Sequence, residues 1–238
     1  MNWNVVSAIF KKEMKSFFGS PMAYIVLSVF LIITGWFFTL NLFKENLAHL
    51  RSIFDILPFL LVIYAPAISM RLIAEERKSG TMELLVTMPV RDFDLIFGKF
   101  LAAFVLYAVG LAFTLIYALT VIILGNAELG PMFAGYVGLL LCGGVYIAFG
   151  VLGSALTENQ IVAFILSFLL SGIFAILIFS AMIIPAPFAD IVQYLSTTYH
   201  FQNIARGVID SRDVIYFLSL MFLSLLLSSR AIAQRKFL

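Results

Sequence analysis

The chain has 238 residues, of which 63% are hydrophobic and only 12% charged, with a mean hydropathy of +1.07 and a net charge of +2. Soluble domains are about half apolar and a quarter charged, so this composition is that of an integral membrane protein. A single cysteine and two histidines exclude a disulfide framework and leave little for a metal cluster, and so small a net charge draws in no nucleic acid.

At the start of the chain, Trp3, Val6, Ile9, Phe10, Met14, Phe17 and Phe18 recur at spacings of three and four, with Lys11, Lys12, Glu13 and Lys15 between them. That pattern over residues 1–19 predicts an amphipathic helix in the membrane interface, its basic face toward anionic headgroups; a frayed extension of the first span is the other reading. Gly19-Ser20-Pro21 turns the chain into the membrane.

Six apolar blocks follow: Pro21 to Phe43, Ile53 to Ala74, Leu95 to Leu124, Pro131 to Leu156, Ile161 to Ile184 and Val214 to Ser229. Each approaches or exceeds the roughly 20 residues that cross about 30 Å of hydrocarbon as a helix. The fold expected is all-α, a single transmembrane domain over residues 1–238. The sixth block is short and needs Arg230 to snorkel. Eleven of the fifteen Lys and Arg fall on the side that holds both termini, and the positive-inside rule makes that side cytoplasmic. The first block is too long for a cleaved signal peptide.

Between the second and third spans, residues 75–91 form the longest polar interruption, opening E-E-R-K-S-G-T-M-E-L-L-V-T-M-P. The second helix should run on through Arg77, because nothing breaks it before Ser79-Gly80. Gly80 then permits a turn, with Ser79 or Thr81 capping a short helix from Met82 to Val86 whose Glu83 suits a first turn. Pro89 ends that helix and Asp92 caps the next. A short polar helix held between two rigid rods is something another protein can push on.

The fourth span is rich in glycine, and the pairs Gly144/Ala148 and Gly150/Ser154 put small residues four apart, which favours close helix packing. Thr157-Glu158-Asn159-Gln160 is a tight turn on the same side as the polar segment. On the other side, residues 185–213 are too apolar for a free loop and read as a pair of short helices re-entering the outer leaflet. As an outer gate this segment would use Tyr199, His200, Phe201, Arg206 and Gly207; simple interfacial packing is the alternative. His49 and His200 are expected to be solvated or capping residues rather than metal ligands.

No catalytic motif is present. Gly98-Lys99 is followed by Phe100, and Phe93 stands where a phosphate-binding loop needs its first glycine, so the chain should not hydrolyse ATP itself. The central parts of the spans carry no charge, which disfavours an ion-coupled carrier.

The segment 75–89 resembles the cytoplasmic coupling segment of type-2 ABC exporter permeases. The similarity extends to S-A-L-T-E-N-Q-I-V-A-F at 154–164 and to Y-H-F-Q-N-I-A-R-G-V-I-D-S-R-D at 199–213, the last most like the permease of bacterial gliding-motility ABC systems. This resemblance implies a half-transporter in the inner membrane of a bacterium, without catalytic or metal site. A second permease subunit, identical or related, would pair with it. Two separate ABC ATPase subunits would bind the ATP and Mg²⁺, so this chain needs no cofactor of its own, and there is room for an extracytoplasmic accessory subunit. The coupling residues would be Glu75, Glu76, Arg77, Lys78, Gly80, Thr81, Met82, Glu83, Leu84, Leu85 and Pro89. Glu75 and Glu76 would meet basic residues of the ATPase, with Glu158, Asn159 and Gln160 as a secondary contact. The activity implied is export of a substrate driven by ATP hydrolysis; a non-transporting scaffold that uses ATPase motion to drive an envelope machine is the alternative.

Overall fold

The computed structural model describes residues 1–45, 50–81, 91–124, 128–182, 185 and 188–234. Among them there is no strand, and six helical stretches are long and apolar enough to cross a membrane. Helix α1 (Trp3–Gly19) is capped by Asn2, whose side chain accepts from the Asn4 N–H. Ser20 ends α1 and its hydroxyl accepts the Met22 N–H, while Pro21 occupies the first turn of α2 (Pro21–Glu45), where a missing N–H costs nothing. The Gly19-Ser20-Pro21 corner therefore separates α1 from the first span, and the frayed-extension reading falls away.

The second stretch is divided into α3 (Arg51–Ser69) and α4 (Arg71–Lys78) at Met70. The backbone stays right-handed helical through Met70 and the stretch runs on to Lys78, as expected, but its hydrogen-bond ladder is interrupted there. The Ser154 hydroxyl, from the fourth stretch, enters at this point: it donates to the Met70 carbonyl at 2.8 Å and accepts the N–H groups of Ile73 and Ala74 at 3.0 and 2.9 Å. One side chain thus serves three backbone groups in a wholly buried position. Ser154→Ala is expected to cost about 2–3 kcal/mol, since each buried backbone group left unsatisfied costs about 1–3 kcal/mol. The measurement is the melting temperature of the detergent-solubilised protein, and a variant that melts with the wild type would refute the role.

The third stretch comprises α5 (Asp92–Phe113) and α6 (Leu115–Leu124), separated at Thr114, whose carbonyl accepts the Tyr136 hydroxyl at 2.9 Å. Asp92 is the first residue of α5 rather than its cap; Arg91 holds the cap position, and Asp92 and Asp94 lie in the first turn, where negative charge faces the positive end of the helix dipole. Then come α7 (Leu129–Leu156), α8 (Gln160–Ile176) with a 3₁₀ turn over Leu177–Met182, the short helices α9 (Phe188–Tyr194) and α10 (Thr197–Ala205), and α11 (Ser211–Gln234). At 24 residues α11 is long enough to span without help from Arg230.

Helix α7 is the axis of the bundle: 78% of its most apolar window is buried, against 22–28% for α2, α8 and α11. Its small residues are the reason. A Cβ on Gly143 would fall 2.4 Å from the Tyr107 ring of α5, on Gly144 2.9 Å from Met221 Sδ of α11, and on Gly150 1.7 Å from Ser69 Oγ of α3. Close packing, expected from the small-residue spacing, is thus what these glycines provide.

Candidate functional site

The amino-terminal end of the bundle is assembled on a crossing of α1 over α5. Gly98 makes the crossing possible, since a Cβ there would lie 2.9 Å from Ile9 Cγ2 and 3.1 Å from the Val6 carbonyl oxygen. The Asn2 N–H donates to Asp94 Oδ2 at 3.0 Å, and Trp3 meets Phe97 edge-on, so the first turns of both helices are fastened together.

One residue beyond Gly98, the Lys99 side chain points into the protein and is 1% exposed. Its ammonium donates to Glu13 Oε1 of α1 at 2.8 Å and to the Leu72 carbonyl of α4 at 2.7 Å. Glu76 Oε2 of α4 lies 2.8 Å away, an ion pair rather than an aligned hydrogen bond. The other Glu76 oxygen accepts from Lys12 at 2.7 Å, and Lys12 also stands 3.9 Å from Glu13. Two cations and two anions on three helices form a neutral, largely buried cluster, which is the condition under which buried charges are tolerated. Burial works to lower the Lys12 pKa, but the hydrogen bond to Glu76 and the charges of Glu76 and Glu13 outweigh it and raise the value above the ordinary lysine range. Lys12 is therefore an ammonium throughout the neutral range. Beside the cluster, Arg71 lies over the Phe17 ring at 5.1 Å and donates toward Met22 Sδ, tying α4 to α1 and α2.

From this cluster α4 runs out to Lys78 and the turn at Gly80, whose φ of +72° is one that residues with a Cβ rarely adopt. The Glu76 carbonyl accepts from both the Ser79 and Thr81 hydroxyls, which closes the turn; the short helix that one of them was expected to cap lies outside the described residues. Glu75, Lys78, Gly80 and Thr81 are exposed and Arg77 is half-buried. Glu75 and Glu76, paired in the sequence as docking charges, have separate places: Glu75 faces out, while Glu76 is committed to Lys99 and Lys12. Met82, Glu83, Leu84, Leu85 and Pro89 lie outside the described residues.

The 157–160 turn lies at the same end, since Ser154 immediately before it holds α4. Asn159 caps α8 by accepting the Ile161 N–H at 2.9 Å; Glu158 and Asn159 are exposed and Gln160 is half-buried.

At the opposite end, α9 and α10 form the expected pair of short helices. His200 is fully buried, not solvated or capping as its type suggested. Its Nδ1 lies 2.5 Å from Asp213 Oδ1 of α11, its Nε2 donates to the Tyr194 carbonyl at 2.8 Å, and its ring stacks on Tyr216 at 3.8 Å. Phe201 is also buried, against Gly138 of α7, whereas Tyr199 is half-buried and Arg206 exposed. Gly207, with φ +99°, packs against Pro131. His49 lies outside the described residues. Among those residues no three of His, Cys, Asp and Glu are grouped to hold a metal ion.

The chain is therefore a multi-pass helical membrane protein, with a charged cluster binding its first helix to the helix that leads into the central polar segment. The family model described as ABC-2 family transporter protein matches residues 42–229, and the chain belongs to that family. It is thus the permease subunit of an ABC transporter, the membrane component that works with an ABC ATPase subunit. The match begins inside α2, so α1 and half of the ion cluster lie outside it. A comparison with curated proteins finds no match.

Sequence reasoning missed Lys99. Its position two turns inside an apolar helix was the available signal, because a lysine there must either reach water or find carboxylates.

Proposed function

We propose that this permease is one half of an ATP-driven exporter in the cytoplasmic membrane of a bacterium. Both termini face the cytoplasm, a second identical or related permease completes the membrane part, and two ATPase subunits carry the ATP and Mg²⁺. Residues 75–91 receive the force. Glu75, Arg77, Lys78, Gly80 and Thr81, with Met82, Glu83, Leu84, Leu85 and Pro89, are the primary contact, and Glu158, Asn159 and Gln160 the secondary one. Tyr199, His200, Phe201, Arg206 and Gly207 belong to the outer gate, and the likeness of 199–213 to gliding-motility permeases supports a place near that subfamily.

The observation that carries this reading is the Lys12–Glu76–Lys99–Glu13 cluster. A push on the turn at Gly80 reaches α4, and α4 is bound to α1 and α5 by charges as well as by packing, so displacement passes into the membrane helices as a unit. Transmission of this kind needs rigid elements joined to a two-state partner.

The test is co-purification with the host's ABC ATPase subunits, followed by ATP hydrolysis and ATP-dependent substrate movement in vesicles. Glu75→Lys is expected to weaken ATPase binding without changing the melting temperature, because Glu75 is exposed; undiminished co-purification would refute its role. Gly80→Pro is expected to leave hydrolysis while abolishing transport, because proline cannot adopt positive φ; unchanged transport would show that the turn is not the hinge. Hydrolysis with no movement of any substrate would favour the scaffold.

A further inference from the structure

The far end of the bundle holds a cleft of about 440 Å³ between the start of α3, the start of α7 and the end of α10, within the range of about 300–1,000 Å³ typical of small-molecule sites. Four charged side chains line it: Arg51 and Asp55 on α3, Glu128 at the cap of α7, and Arg206 at the end of α10. Arg51 and Asp55 have the four-residue spacing at which helix neighbours ordinarily pair. Among the described residues, however, none of the four side chains has an ion pair or hydrogen bond. The cleft is also built rather than incidental, because the Gly207 turn closes on Pro131 and so seats Arg206 beside the start of α7. Phe54 and Met132 supply apolar wall between the charges.

We propose that this cleft binds a zwitterionic phospho-headgroup, of the phosphoethanolamine type. Two guanidinium groups offer forked donors to a phosphate, which is the geometry arginine recognises best. Two carboxylates offer acceptors to an ammonium, and the balance of two positive and two negative charges fits a ligand with one of each better than a simple anion or cation. The apolar wall takes the first methylenes of an attached chain. This site is distinct from the ATPase-facing end, and its occupancy does not depend on the direction or cargo of transport.

The experiment measures binding to the purified full chain in nonionic detergent by isothermal titration calorimetry. The probes are short-chain phosphatidylethanolamine, short-chain phosphatidylglycerol and free phosphoethanolamine. Phosphatidylethanolamine is expected to bind at least about tenfold more tightly than phosphatidylglycerol, the difference that about 1.4 kcal/mol produces. Arg51→Gln with Arg206→Gln is expected to lose at least that factor, and Asp55→Asn with Glu128→Gln is expected to remove the preference between the two lipids. All four residues are exposed, so the variants should keep the wild-type melting temperature, which is measured in parallel. Free phosphoethanolamine binding as tightly as the lipid supports the site with a soluble zwitterion as its source; much weaker binding assigns it to lipid. Equal affinity for the two lipids, unchanged affinity in the arginine variant, or no binding of any probe would overturn the proposal.

Discussion

Lys99→Met should lower the stability of the purified protein by about 3–5 kcal/mol, the usual cost of removing one partner from a buried ion pair. The variant keeps length and apolar volume, so the loss comes from charge. Glu13 would keep only Lys12, 3.9 Å away, and Glu76 would keep Lys12 alone. The Leu72 carbonyl would lose its 2.7 Å donor as well. Adding Glu13→Gln to Lys99→Met should restore part of the stability, because an uncompensated carboxylate is removed with its partner. That rescue separates an electrostatic role from simple packing. Melting of the single variant at the wild-type temperature, or a double variant less stable than the single, would contradict the cluster as described. If the cluster transmits force as proposed, Lys99→Met should also reduce transport per ATP hydrolysed, because α4 would lose its links to Lys99 of α5.

Gly150→Val should prevent the bundle from assembling, with a cost above about 4 kcal/mol, in the range reserved for severe overpacking. A Cβ at 150 would lie 1.7 Å from Ser69 Oγ and 2.6 Å from Ser69 Cβ. The hydroxyl can rotate aside only by giving up its 2.6 Å bond to the Ala65 carbonyl, and the Cβ can move only with the α3 backbone. A change there reaches the Met70 interruption directly, since Ser154 lies one turn further along α7. Gly150→Ala is expected to express at reduced level and melt lower, and Gly150→Val to be recovered only as aggregate. Gly19→Ala provides the control, because nothing lies within 4 Å of a Cβ there. A Gly150→Val protein with wild-type yield would mean that α3 and α7 do not approach this closely.

The six spans were legible because length and apolarity are written locally, each in about twenty consecutive residues. The turn at Gly80 and the pair of short helices after Pro185 were legible for the same reason. The packing role of Gly150 and Ser154 could be read from spacing, but not the bonding of Ser154 to three groups of another helix. The interruption at Met70 was hidden because what stabilises it is about eighty residues away. Lys99 and Glu13 are 86 residues apart, and each alone reads as an ordinary charge near a membrane boundary. His200 misled for the converse reason: in a segment bounded by prolines and charges it looked solvated, and only the return of α11 brings Asp213 against it.

The two-sided bonding of His200 ties three helices at one ring. A carbonyl only accepts, so Nε2 donates to Tyr194 at the end of α9, while Nδ1 meets Asp213 in the first turn of α11. The ring itself sits on α10, fully buried and stacked on Tyr216. Neither short helix can therefore swing away from α11 without breaking a buried link, so any outward movement of this end carries α9, α10 and the start of α11 together.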